Sequence, residues 1–130
     1  MPSVRMIDET TLGGRFEAPA LELESGRLAV RDLISLRVRA EIRRYNNDRK
    51  ATFYGLVQPA DIKSLIDGPS KRSFRPIDAD KQVDVALKAF REQRFVVLLP
   101  DRQAEDLDEV ITLGEGDEVS FLRLVPLVGG

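Results

Sequence analysis

The chain finishes with GEGDEVSFLRLVPLVGG, residues 114–130, and the group there best suited to chemistry is the carboxylate of Gly130. Glycine has no Cβ, so Gly129 and Gly130 in succession make a thin, flexible tail that can thread a narrow channel. A carboxylate is a poor electrophile, but ATP can convert it to an acyl-adenylate that a nucleophile attacks. A side chain at either of the last two positions would hinder both threading and attack. Just upstream, the apolar residues Leu124, Val125, Leu127 and Val128, with Pro126 among them, give a partner something to grip. A glycine pair alone is a weak signal, since glycine makes up about 7 % of residues in proteins generally. Behind a turn and strand of the form GDEVSFLRLVPLV it is a stronger one.

Other chemistries are poorly served. The sequence has no histidine and no cysteine. That excludes Ser-His-Asp triads, papain-like pairs, disulfides and thiolate zinc sites, and it removes the commonest general base. TLGGRF lacks the Lys-Ser/Thr sequel of a phosphate loop and reads as a hairpin turn. The acidic run DRQAEDLDE lacks the alternation and glycine of a calcium loop. No pair of carboxylates is singled out for acid–base work. That leaves the C-terminus, and we expect no metal and no cofactor of the chain's own.

At 130 residues the chain suggests one domain, long enough to bury a core without staples. No apolar run approaches the roughly 20 residues of a membrane helix. MPSVRMIDET has no signal-peptide h-region, so the expectation is a cytoplasmic protein. Residues 27–50 carry eight Arg/Lys against three Asp/Glu, and residues 101–118 carry eight Asp/Glu against one Arg. This asymmetry fits either two solvated faces that balance or a charged surface that steers docking. Nucleic-acid binding is disfavoured by a net charge of −2 and a basic stretch nearly free of aromatics.

These residues must be positioned by a small set of elements. SVRMID, with Val4 and Met6 on one face, turns at Gly13-Gly14 into RFEAPALELES, where Phe16, Ala18, Ala20 or Leu21, and Leu23 recur at near-period two. Pro19 argues for an edge position or a bulge. Val30, Leu33, Ile34, Val38, Ile42 and Tyr45 form one stripe, predicting an amphipathic helix on a sheet that ends near Asn46-Asn47. Arg31, Arg37 and Arg43 are expected on its solvated surface. Residues 48–79 read poorly: a short strand in TFYGLVQP, a turn or two of helix in ADIKSLIDG, a loop in PSKRSFRPID. A second helix, DADKQVDVALKAFREQ, is capped by Asp78 or Asp80, with Val83, Leu87 and Phe90, or Val85 and Ala86, facing inward. RFVVLLP suits a strand buried on both faces. A short strand at Val110–Leu113, a turn at GEGD and a last strand EVSFLRLVPL follow. Val119 and Phe121 should point inward, and Ser120, Leu122 and Leu124 outward. Leu122 and Leu124 would then offer a partner patch, unless the inserted region covers that face. Arg123 shares the buried parity, so either it lies at the rim of the sheet or this register is wrong. The fold class is α+β.

On these residues the chain resembles the ubiquitin-like β-grasp proteins. GEGDEVSFLRLVPLVGG is similar to the end of such a protein. Its GDEV…P.VGG frame is similar to the small sulfur carriers of molybdopterin and thiamine biosynthesis (the MoaD and ThiS families), and LRLVPLVGG is similar to the tail of ubiquitin. LAVRDLISL after a hairpin fits the helix start, although Ala29 stands where a Thr cap is common. The likeness covers about residues 3–45 and 95–130. It implies one β-grasp domain over 1–130, a mixed sheet with one main helix, a helix-containing insertion at about 48–80 and a flexible tail at 125–130. Nine residues separate GDEV from the glycine pair, about two more than in the sulfur carriers, which leans toward a protein modifier. The resemblance implies that a ubiquitin-activating-type enzyme adenylates Gly130 using ATP. The acyl group would pass to a partner thiol and then to a target protein, with conjugating enzymes or deconjugating peptidases as further partners. In the sulfur-carrier version Gly130 becomes a thiocarboxylate. A β-grasp interaction domain that is never conjugated is the third possibility.

Overall fold

The computed structural model describes residues 1–48, 55–57 and 76–124. Its elements are strands β1 (Ser3–Thr10), β2 (Arg15–Glu22) and β3 (Arg27–Ala29), helices α1 (Val30–Asp48) and α2 (Ala79–Arg91), and strands β4 (Phe95–Leu98), β5 (Val110–Thr112) and β6 (Glu118–Arg123). The four-stranded sheet runs β2-β1-β6-β4, and β3 with β5 makes a separate two-stranded sheet. β1 is antiparallel to β2 and parallel to β6, and β6 is antiparallel to β4. The class is α+β with a mixed sheet, as expected.

The hairpin closes where Gly13 takes φ +96, a conformation that L side chains rarely adopt. Gly13 N–H donates to Thr10 O at 3.0 Å, and Gly14 N–H to Thr10 Oγ1 at 3.1 Å. Pro19 fulfils both of its expected positions. It lies in edge strand β2, at the place where the register shifts between Val4↔Leu21 and Met6↔Ala18. Val4 and Met6 are buried as expected, but Phe16 at the hairpin end is 66 % exposed.

Every residue of the α1 stripe is buried, in one core with Val4, Met6, Phe95, Val97, Val119 and Phe121. Burying each such side chain stabilises by about 1.5–3 kcal/mol before chain entropy is charged against it. In place of a Thr cap at the start of α1, the loop before β5 satisfies its first two donors. Val30 N–H donates to Glu109 O and Arg31 N–H to Leu107 O, both at 2.9 Å. α2 is capped by Asp78, which accepts from Lys81 N–H at 3.2 Å. Val83, Ala86 and Ala89 are buried, with Leu87 and Phe90 packed against the core. α2 ends through Gln93, held at φ 59, while Arg94 N–H returns to Ala89 O at 2.9 Å.

Three expectations are corrected. β4 is not buried on both faces. It is an edge strand with Phe95 and Val97 buried and Val96 and Leu98 half-buried, because an apolar run reads alike in a central and a half-covered strand. Ser120 is buried, although its parity sets it on the face away from α1, where β1 and β4 flank it. Arg37 is not solvated: it is 3 % exposed. Its guanidinium donates to Asp8 Oδ2 at 2.8 Å and Glu41 Oε2 at 3.1 Å, and lies 4.5 Å from the centre of the Phe121 ring. Burial, the largest single influence, pulls its pKa down. The Asp8 hydrogen bond and the Glu41 and Asp8 charges outweigh it, leaving the pKa above the ordinary arginine value and the group charged.

Within the inserted region, residues 55–57 are fastened to the core. Arg123 Nη2 donates to Gly55 O at 2.6 Å, Leu56 N–H to Glu41 Oε1 at 3.1 Å, and Gln82 Nε2 to Val57 O at 2.6 Å. Leu56 itself is buried. Of the expected short strand in TFYGLVQP only residues 55–57 are described, and they form no strand; the helical turns in ADIKSLIDG lie wholly outside the described residues, as does the loop PSKRSFRPID up to its last three residues, which are irregular as expected.

Two stability outcomes follow from this packing. Arg37→Ala leaves Asp8 and Glu41 uncompensated near the core and is expected to cost about 3–5 kcal/mol in urea unfolding. Asp8→Asn with Glu41→Gln in the same background should recover part of that loss, and no recovery would refute the charge account. Gln93→Gly relieves a left-handed residue and is expected to stabilise by about 1 kcal/mol, read as a raised denaturation midpoint.

Candidate functional site

β6 lies between β1 and β4, so the segment that follows it leaves from the middle of the sheet. The last described residue, Leu124, donates its N–H to Arg94 O at 3.0 Å and is 37 % exposed. Val125, Pro126, Leu127, Val128, Gly129 and Gly130 lie outside the described residues.

The face of the sheet away from α1 carries Leu122, half-buried between Val96 of β4 and Glu9 of β1. It is not the open row that alternation suggested, since Ser120 and its β1 neighbour Ile7 are both buried. Leu122, Val96 and Leu98 make a partly open apolar strip. Beside it, Arg5 pairs with Glu17 at 3.1 Å and Glu118 at 3.4 Å, and Arg15 with Glu118 at 3.2 Å and with Glu9. Hydrogen bonding to Glu17 raises the Arg5 pKa and lowers that of Glu17, and bonding to Glu118 and Glu9 raises that of Arg15. All three side chains are solvent-exposed, so these pairs orient the surface more than they stabilise it. Residues 55–57 of the inserted region do not cover this face. They bond to Glu41, Gln82 and Arg123, on the helix side. Arg123 stands at the last residue of β6, at the rim of the sheet.

On the other side of Leu124 opens a cleft of about 720 Å³ between α2, β4 and residues 103–108. Phe90, Phe95, Leu107 and Leu124 supply its apolar lining, with Arg31 and Arg91 at the wall. Phe90 and Phe95 meet edge to face, centroids 5.9 Å apart. Here the basic helix meets the acidic run, with Arg31 Nη2 2.6 Å from Asp108 Oδ1. The acidic wall is shaped by Glu109. Its carboxylate accepts Glu105 N–H at 2.9 Å and the Arg102 guanidinium at 2.6 and 2.9 Å. The Glu105 N–H, then Arg102, hold the Glu109 pKa below the ordinary glutamate value.

Sequence reasoning singled out Leu122 and Leu124 and missed this cleft. Its only local signals were Phe90 on α2 and Leu107 inside an acidic run, and both read equally well as core. Among the described residues no group of three or more His, Cys, Asp or Glu could hold a metal ion, and no helix is long and apolar enough to cross a membrane. Compared with protein-family models, with curated proteins and with solved structures, the chain matches none.

The Glu109 geometry has a pH consequence. A carboxylate whose folded pKa is depressed contributes stability above its unfolded value, about 4.3, and loses it as pH falls through the folded value. Glu109→Gln is therefore expected to be less stable than the parent at pH 7, with the gap closing below about pH 4. A gap unchanged from pH 7 to pH 3 in thermal unfolding would refute this.

Proposed function

We propose that this chain is a β-grasp, ubiquitin-like protein modifier whose working atom is the carboxyl carbon of Gly130. One observation carries the reading. The strand feeding the tail runs parallel to the first strand in the centre of a β2-β1-β6-β4 sheet, with one long helix packed across it. That arrangement suits a rigid body that presents a thin tail from its middle. The residues beyond it, Leu124 to Gly130, have the apolar grip and glycine clearance described above.

In this reading the Gly130 carboxylate attacks the α-phosphate of ATP in the site of an activating enzyme, forming the acyl-adenylate and releasing pyrophosphate. A thiolate of that enzyme or of a conjugating partner then attacks the acyl carbon, AMP leaves, and a thioester forms. An amine of the target displaces the thiolate and closes an amide. Leu124, Val125, Pro126, Leu127 and Val128 lie along the partner's channel, and Leu122 with its half-buried neighbours contacts the partner's surface. This chain supplies no catalytic side chain: it is the acyl donor.

The test starts from the protein isolated from its own cells, where the intact mass must end at Gly130. The chain is then incubated with ATP and each adenylating enzyme of the ubiquitin-activating type from the same cells. The expected product is a thioester between the two proteins that hydroxylamine releases. Deleting Gly129-Gly130 should abolish it, and Gly130→Ala should slow it at least about tenfold, 1.4 kcal/mol in barrier. A mass gain equal to sulfur for oxygen, without protein adducts, would favour the sulfur carrier. Neither product from any such enzyme would sink both readings and leave the interaction domain.

A further inference from the structure

The outer edge of β4 is only partly closed by the chain itself. Leu99 N–H donates to Arg102 O at 2.7 Å and Ala104 N–H to Val97 O at 2.9 Å. Successive residues of a strand turn their N–H and C=O to opposite edges. Leu124 N–H bonds to Arg94 O, so residues 94, 96 and 98 face β6, while Phe95 and Val97 face outward. The returning segment covers Val97, then turns away at Ala104 toward Leu107, where it caps α1. The outward N–H and C=O of Phe95 have no partner among the described residues. Phe95 is 2 % exposed, and backbone groups so buried are nearly always paired. Phe95 also lines the cleft.

Charge marks the same place. Glu105 and Asp106 on one wall carry no ion pair among the described residues, and nor does Arg91 opposite; Arg31 is already matched by Asp108. The other edge of the sheet is defended: β2 has Pro19, a register shift and the charged residues Arg15, Glu17 and Glu22. The β4 edge has no such guard at Phe95.

We propose that the cleft receives an extended segment of a partner protein. It adds to β4 at Phe95, sets an apolar side chain against Phe90 and Leu107, and places a lysine or arginine opposite Glu105 and Asp106. The volume suits a few side chains, and backbone pairing supplies affinity while the acidic wall supplies selectivity. This surface borders the tail at Leu124 but takes no part in the acyl chemistry at Gly130, and its test does not depend on that chemistry.

The test is an amide NMR titration of the full chain with the peptide Ac-Gly-Lys-Val-Leu-Val-Lys-Gly-amide, its Glu-for-Lys counterpart, and a version N-methylated at the central Leu. The expected result is shifts at Phe95, Val96, Ala104 and Glu105, with the Glu and N-methyl peptides at least about tenfold weaker. Glu105→Lys with Asp106→Lys should reverse the charge preference, with the rest of the spectrum unchanged as proof of folding. Absence of shifts at those residues, equal affinity of all three peptides, or shifts confined to Arg15–Glu22 would overturn the proposal.

Discussion

The packing at this molecule's centre depends on where the Arg37 guanidinium goes. An arginine on the buried side of a helix has to be neutralised within its own reach, and here β1 and α1 each contribute a carboxylate, Asp8 and Glu41. Asp8 stands beside Phe121 in the β1–β6 register, so the ring that fills the core also offers its face to the cation. Glu41 spends its second oxygen on Leu56 N–H, which ties the inserted region to the same cluster. A buried ion pair adds little net stability over a well-packed apolar substitute, but it sets orientation. α1 can place Arg37 between these acids in one rotation and one position along the sheet.

Much of this was legible where a feature depends on neighbours in sequence. The α1 stripe from Val30 to Tyr45, the Asp78 cap, the glycine turn and the inward parity of Val119 and Phe121 all follow from spacing within one element. What could not be read depends on who faces whom. Arg37 read as surface because its partner Asp8 is 29 residues away, although Asp8 shares the parity of Val4 and Met6 and so was an acid on a core face. Gln82, buried on α2, likewise finds its partner, the Val57 carbonyl, 25 residues away. The β3–β5 pairing joins segments far apart in sequence, and no pattern in either announces the other.

The candidate site divides along the same line. Leu122 and Leu124 were visible because alternation along β6 is local. The cleft was not, because it is made by the chain between β4 and β5 folding back on β4's edge and stopping one pair short of Phe95. That stop has a reason: after Ala104 the same segment must reach α1, where the Leu107 and Glu109 carbonyls receive the helix's first amides. Closing one backbone deficit leaves another open.

The parallel alignment of β1 and β6 also has a mechanical side. Load applied to the chain beyond Leu124 and resisted at the front of β1 pulls those two strands past each other along their length. The rungs from Arg5↔Glu118 to Thr10↔Arg123 would then bear tension together, instead of unzipping one at a time. A motor hauling on that end meets the stiffest direction of the sheet, whereas one gripping the β1–β2 hairpin could peel it open.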